Sequence, residues 1–403
     1  MTTRDLSGHA AWRRRVLVLS FIESFATILL ERAIYFYSHE RLGYSRAQNL
    51  GLALVFGLTY AVGAALSHGF ARRLGDRRAL CATLIALLLL HVAMTAAPGG
   101  VLLPIGFAAV GFFEGAKWPV VESYVGAGLE PGQQLGAVGR FNVSWAFAVP
   151  LALAASGPLI ASGEPAVLFL SAALANVLAL LLCATLPEAA PHLESTHPAL
   201  LGAAESARYG ALLVASRWTM LSSYALMFLL APLLPEVFQR LGRPVAEATL
   251  WASSMDAVRV LTFASLAVLS GWRGRIAPLL LGALGMPVGF ALIVSGQSLA
   301  SVILGEVVFG VFIGITYHLA LYYALVVKNA AVDAGGGHEG LIGLGLAIGP
   351  AVGLLGDYLA GEGSSQLAFI LLAAAPLVFS AMFASLRWLA RARALGRVNA
   401  GLS

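Results

Sequence analysis

Gly111-Phe112-Phe113-Glu114-Gly115 and Gly310-Val311-Phe312-Ile313-Gly314 lie 199 residues apart. The same offset joins other stretches. His39-Glu40-Arg41-Leu42-Gly43 falls on Phe238-Gln239-Arg240-Leu241-Gly242, and Gly75 falls on Gly274. Pro150 pairs with Pro350 after one inserted residue. Any one of these matches is weak. Together, at one offset, they mark a unit of half the chain, duplicated in parallel.

The duplicated unit is apolar. Of 403 residues, 59% are hydrophobic and 11% charged, against about 25% charged in a soluble domain. So few charges cannot cover a water-exposed surface, and most of the surface must face lipid. A membrane-crossing helix needs about 20 mostly apolar residues. Such runs place helices α1 to α6 near 16–37, 48–69, 79–97, 102–126, 138–161 and 165–186. They place α7 to α12 near 210–238, 246–270, 275–295, 299–328, 338–359 and 366–389. The expected fold is an all-α membrane protein with twelve transmembrane helices in two six-helix bundles, 1–187 and 209–403. The polar stretch 188–208, with His192, Glu194 and His197, reads as the linker. Two parallel halves related by an axis along the membrane normal are a known transporter plan.

Net charge is +5, with the basic residues in short clusters between apolar runs. That placement is a topology signal, and no nucleic-acid partner is expected. Eighteen of the 25 Lys and Arg fall on one side. Four (Arg41, Arg46, Arg240 and Arg243) fall on the other, and Arg32, Lys117 and Arg259 lie within spans. The rich side is cytoplasmic by the positive-inside rule. Both termini and the linker are therefore expected inside a bacterial cytoplasmic (inner) membrane, crossed many times. The apolar run from Val16 exceeds a signal-peptide core of about 7–15 residues and has no Ala-x-Ala site after it, so it reads as the first span. Cys81 and Cys183 read as small core residues.

Twelve spans, the duplication and a basic turn after α2 resemble the major facilitator superfamily over nearly the whole chain. The most specific mark is Gly69-Phe70-Ala71-Arg72-Arg73-Leu74-Gly75-Asp76-Arg77-Arg78. The family pattern there is Gly-x-x-x-Asp-Arg-x-Gly-Arg-Arg. Arg73, Gly75, Arg77 and Arg78 match it, while His68 replaces the first glycine, Arg72 the aspartate, and Asp76 stands ninth. The resemblance implies a gating loop at Arg73, Gly75, Asp76, Arg77 and Arg78. In α5, Pro150 and Gly157-Pro158 resemble the helix-5 region of drug–proton antiporters, largely eroded to Ala and Leu. In α11, Gly343, Gly345, Gly349, Pro350 and Gly353 keep more of that pattern. The same small residues would also pack α5 on α8 and α11 on α2. Glu31-Arg32-Ala33 in α1 resembles a Glu-x-x-Glu-Arg-Phe stretch of proton-coupled oligopeptide transporters, with Ile28 and Ala33 departing from it.

Charge inside the membrane is the remaining signal. Glu23, Glu31 and Arg32 lie in α1, and Glu114, Lys117 and Glu122 in α4. Asp256 and Arg259 lie in α8, and Glu306 and His318 in α10. Each would cost at least about 2.5–3.5 kcal/mol at a lipid-facing helix centre, so each should face a cavity or a partner. In the resembled fold α1, α4, α7 and α10 line the central cavity. Glu114 and Lys117 share a helix face, as do Asp256 and Arg259. The Gly111/Gly115 seam lies about 60–120° around α4 from the Glu114/Lys117 face. Glu23 and Lys117 should sit at similar depth, about 10 and 9 Å from the cytoplasmic side. Lys117 should therefore bridge Glu23 and Glu114. Glu122 and His318 fall near helix ends and read as interfacial.

The expected proton sites are Glu114, then Glu31 and Glu23, since a desolvated carboxylate can take up a proton near neutral pH. The substrate candidates are Arg32, Tyr35, Lys117, Trp118, Asp256, Arg259, Glu306 and Tyr317, with Tyr322 a further aromatic. Helix breaks are expected at Pro119, Pro150, Pro232, Pro235 and Pro350. The only lysines, Lys117 and Lys328, sit in no phosphate loop, which excludes ATP drive by this chain on that motif. His338-Glu339 is followed by Gly-Leu-Ile, so no metalloprotease ligand set forms. The reading is a monomeric, non-enzymatic secondary transporter without cofactor or metal. It moves a small organic solute by alternating access, and proton-coupled efflux is favoured. An importer of a small organic anion or nutrient, a lipid flippase, and a non-transporting membrane sensor are the alternatives.

Overall fold

A computed structural model of the chain describes residues 3–96, 98–129, 131–191, 201–327, 332–360 and 366–400. Residues 192–200 of the predicted linker and Lys328 lie outside the described residues. The described elements are all helical, and nine stretches among them are long and apolar enough to cross a membrane. The helices fall on the predicted stretches in order. The unbroken ones are α2 (Arg46–Leu74), α3 (Asp76–Ala96), α4 (Leu102–Gly126), α5 (Pro131–Ala161), α6 (Pro165–Cys183), α9 (Ala277–Ser295), α10 (Leu299–Val327), α11 (Val332–Ala360) and α12 (Gln366–Ala400).

Three helices are interrupted. The first, α1, consists of Thr3–Glu31 and Ala33–Leu42, parted at Arg32. The seventh, α7, is Ala203–Leu230, a 3₁₀ turn Ala231–Leu233, and Leu234–Arg240. The eighth, α8, is Val245–Ala252 and Ser254–Val268, parted at Ser253. The proline expectation is corrected in part. Pro232 does sit in a 3₁₀ turn and Pro235 opens the segment after it, but Pro119, Pro150 and Pro350 lie inside unbroken helices. Inside a membrane, neighbouring helices and side chains hold the backbone groups that a proline frees, so a proline alone does not end a helix.

The duplication is visible in the backbone. Gly43, which ends α1, has φ +67°, and Gly242, which follows α7, has φ +67°. Gly75 between α2 and α3 has φ +83°, and Gly274 between α8 and α9 has φ +68°. These left-handed values need glycine, and both pairs are joined by the 199-residue offset. The helix contacts repeat as well. A Cβ on Gly115 would lie 2.1 Å from the Tyr60 carbonyl oxygen, so α4 packs directly on α2. A Cβ on Gly310 would lie 2.3 Å from the Met255 carbonyl oxygen, so α10 packs in the same way on α8.

Small residues also join the halves. Gly57 and Gly343 bring α2 against α11, facing Leu346 and Ala61. Gly139 and Gly157 bring α5 against α8, facing Ala267 and Thr249. Large apolar side chains point the other way, with Leu58, Val62 and Leu66 exposed along α2 and Leu170, Leu174, Leu178 and Leu181 along α6. Their spacing of three and four residues makes one outward stripe per helix, as a lipid-facing surface requires. Cys81 and Cys183 are free, and their Sγ atoms meet at 2.9 Å between α3 and α6.

Because backbones touch at these glycines, Gly115→Ala and Gly310→Ala should each lower stability by about 1–3 kcal/mol. Gly210→Ala, where an added Cβ meets nothing within 4 Å, should leave stability unchanged or raise it. Thermal unfolding of the purified protein in detergent compares the three, and equal losses would refute the close-packing account.

Candidate functional site

The charged residues of the sequence gather at the centre, where the helix interruptions lie. A cavity with about 70 Å³ of water-accessible space opens between the halves. At about 10–15 Å³ of such space per water, it holds a few water molecules. Glu31 and Arg32 reach it from α1, Tyr60 from α2, Trp118 from α4 and Trp145 from α5. The second half adds Tyr224 and Met227 from α7, Arg259 from α8, Tyr317 from α10 and Glu339 from α11.

One carboxylate holds the two arginines of the cavity. Arg32 Nη1 donates to Asp256 Oδ2 at 3.3 Å, across the halves. Arg259 Nη2 lies 2.8 Å from Asp256 Oδ1 within α8. All three side chains are buried. The predicted Asp256/Arg259 pair is thus present, but it is not a closed pair, because Asp256 also serves Arg32. The α1 break at Arg32 and the α8 break at Ser253 flank this contact. Arg259 also stacks over the Trp145 ring, 4.9 Å from its centroid, a favourable cation–π geometry. Glu31 lines the same cavity and makes no hydrogen bond or ion pair among the described residues.

A second cluster lies wholly in the first half. Lys117 Nζ is 2.8 Å from Glu23 Oε2 and 2.7 Å from Glu114 Oε2. The contact expected from helix depth is therefore made, and Lys117 bridges both carboxylates. Thr27 Oγ1 donates to Glu114 at 2.8 Å and Trp118 Nε1 at 3.2 Å. Asn176 Nδ2 donates to Glu23 at 3.1 Å. Glu23, Glu114 and Lys117 are buried and lie behind the cavity wall, which Thr27 and Trp118 form in front of them.

Polar contacts join the halves on both sides of the cavity. On the basic side Tyr60 donates to Glu339, Tyr317 Oη donates to Glu122 at 3.5 Å, and Asn142 meets His318 at 3.1 Å. On the opposite side Arg46 pairs with Glu236 at 3.3 Å and Asp357 at 3.0 Å. All five of these contacts cross between the halves.

Several expectations are corrected here. Glu122 and His318 are not interfacial but fully buried between the halves. Tyr35 does not face the cavity; it packs on Phe107 inside the first half. Glu306 accepts from Ser254 between α8 and α10 and is not a lining residue. Tyr322 packs on Trp272, Tyr209 and Tyr323 away from the site. The α2–α3 loop grips the chain beyond α6. Asp76 accepts from the Ala190 backbone at 2.9 Å, Arg77 donates to the Leu186 carbonyl at 3.0 Å, and exposed Arg78 pairs with Glu188 at 3.1 Å. The sequence reading missed Tyr60, Trp145, Tyr224, Met227 and Glu339 as lining residues. Glu339 carried a signal, since it is an acidic residue at the start of an apolar run. The aromatics carried none, because aromatic residues in a membrane helix face lipid equally well.

The fold recurs in known transporters. The chain is similar to the human organic anion transporter MFSD10 (TETRAN), at 14% identity and a TM-score of 0.66 over 94% of this chain and 99% of that one. It is equally similar to the nucleoside transporter NupG, at 14% identity and a TM-score of 0.67 over the same shares. No curated protein matches it by sequence. The family model of the Major Facilitator Superfamily matches residues 16–338, four-fifths of the chain, and the protein belongs to that superfamily.

Proposed function

We propose that the protein is a secondary active transporter that carries a small organic solute with an anionic group by alternating access, together with protons. The observation that carries this reading is the sharing of Asp256 by Arg32 and Arg259 at the cavity. Guanidinium groups match carboxylates in a two-point geometry. A solute carboxylate that takes the place of Asp256 leaves that side chain buried and uncompensated, which is costly. A proton on Asp256 removes the cost. Solute and proton therefore bind together, which is the logic of symport.

Glu31 is the second proton site in this reading. It is half-buried at the cavity wall and has no ion-pair partner among the described residues, so a proton entering the cavity can reach it. Glu114, the first choice from sequence, is held by Lys117, Thr27 and Trp118 behind the cavity wall and does not line the cavity. The resemblance of α5 and α11 to antiporters favours efflux, but Gly157 and Gly343 pack the halves together. That leaves the charge arrangement as the guide, and it favours symport. A solved structure of similar fold is that of an organic anion transporter, which accords with the proposed substrate class. The small cavity suits a solute of few atoms and argues against a bulky lipid as cargo.

Proteoliposomes with an imposed pH gradient, screened against small carboxylates, neutral nucleosides and amines, test the reading. The gradient should drive uptake of the carboxylates, and a protonophore should abolish it. Uptake confined to neutral or cationic solutes would overturn it. Glu31→Gln should cut gradient-driven uptake at least tenfold while solute exchange at equal pH persists. If Glu114→Gln produces that split and Glu31→Gln does not, the proton site belongs to the buried cluster. Lys117→Ala should lower stability by about 3–5 kcal/mol, since it strands two buried carboxylates. Arg78→Ala, in an exposed pair, should cost about 0–1 kcal/mol. Comparable losses in unfolding experiments would show that the Lys117 cluster is not held together by its buried ion pairs.

A further inference from the structure

Below the cavity, on its basic side, Glu122 of α4 meets His338 and Glu339 of α11. Each offers a donor atom, and the three donor atoms lie within 4.8 Å of one another. All three residues are buried: Glu122 and His338 are 0% exposed and Glu339 is 3% exposed. Two buried carboxylates in contact repel each other unless a proton or a cation lies between them. Lys117 does not fill that role, because it is held by Glu23 and Glu114. Arg217 lies beside Gly337, next to His338 in the chain.

His338 is the independent sign of a ligand. Neither of its ring nitrogens has a hydrogen-bond partner among the described residues, and the same holds for Glu122 Oε2. An imidazole with no partner for either nitrogen is a poor structural choice inside a membrane, where each unmet polar group costs free energy. It is a good ligand. We propose that Glu122, His338 and Glu339 form a binding site for a divalent first-row transition-metal cation, which pins α4 of the first half to α11 of the second. One imidazole and two carboxylates suit Zn²⁺ or Mn²⁺ better than the hard cations that take oxygen alone.

The geometry is within reach. Around a tetrahedral zinc, donors about 2.0–2.1 Å from the metal stand about 3.3 Å apart. The present spacing, within 4.8 Å, exceeds that value by at most about 1.5 Å, a gap that rotation of the three side chains toward one another can close. The supporting contacts are also present: Tyr60 donates to Glu339 and Tyr317 donates to Glu122. Such hydrogen bonds orient ligating carboxylates. Two ionised carboxylates balance the +2 charge, so the site would be neutral when filled. Its sequence signal is split, since His338-Glu339 is a ligand pair without a third member until α4 supplies Glu122. The site does not depend on which solute the cavity carries.

The test uses the full-length protein, tag-free, purified in detergent and stripped with chelator. Titration with Zn²⁺ at pH 7.5 should give a saturable rise in Tm at one ion per chain, and Co²⁺ should give visible d–d absorption bands of a nitrogen- and oxygen-ligated site. Glu122→Gln and Glu339→Gln, which keep side-chain shape, should each weaken Zn²⁺ binding at least about tenfold. His338→Gln should shift the Co²⁺ bands. Glu306→Gln, a buried carboxylate elsewhere, should change neither. The proposal is overturned if the wild-type protein shows no saturable shift, or if the variants keep the wild-type affinity and spectrum. It is also overturned if acid raises Tm and metal does not, because the two carboxylates then share a proton instead.

Discussion

A charge inside the bilayer has no water to turn to, so its partner must be protein, a ligand or a proton. Asp256 meets this constraint across the two halves. Among the described residues it pairs with both Arg32 and Arg259, and the two arginines come from different halves. Any motion that parts the halves pulls Arg32 from Asp256, and the break in α1 at Arg32 marks the place where that strain would be felt. Helix geometry, cavity lining and charge balance all converge on this contact.

The remaining packing is arranged so that it does not oppose such motion strongly. Lipid is as apolar as leucine, so burying leucine between helices gains little in a membrane. The halves are joined instead by close backbone approach at Gly57, Gly139, Gly157 and Gly343, while long apolar side chains face outward. Contacts of this kind depend on shape and are lost together when one half tilts. Polar contacts also join the halves, Arg46 with Glu236 and Asp357 on one side and Tyr60 with Glu339 at the cavity wall.

Much of this was legible in the sequence. The 199-residue offset fixed which glycines correspond, and Gly43/Gly242 and Gly75/Gly274 share left-handed conformations for that reason. Helix depth alone brought Glu23 to Lys117, because rise per residue is nearly constant. What depth does not give is azimuth across a bundle. Tyr35 and Glu306 lie at suitable heights but point into their own halves. Glu122 and His318 were read as close to water because they lie near span ends, yet α4 and α10 extend past them and the other half covers them. The interruptions at Arg32 and Ser253 carry no proline or glycine, so local propensity could not announce them. Prolines at 119, 150 and 350 announced breaks that tertiary packing absorbed.

The two charged clusters differ in a way that separates their roles. Glu23, Lys117 and Glu114, with Thr27 and Asn176, belong to one half and keep their partners when the halves move relative to each other. The contacts of Asp256 with Arg32, of Tyr317 with Glu122 and of Tyr60 with Glu339 cross between halves and must break. An alternating-access cycle is reversible only if each broken contact is replaced at similar free energy. For the Lys117 cluster no replacement is needed, so it serves as a fixed wall. For the crossing contacts the proposed cycle has to supply replacements, and in that reading the solute and a proton take this role at Asp256.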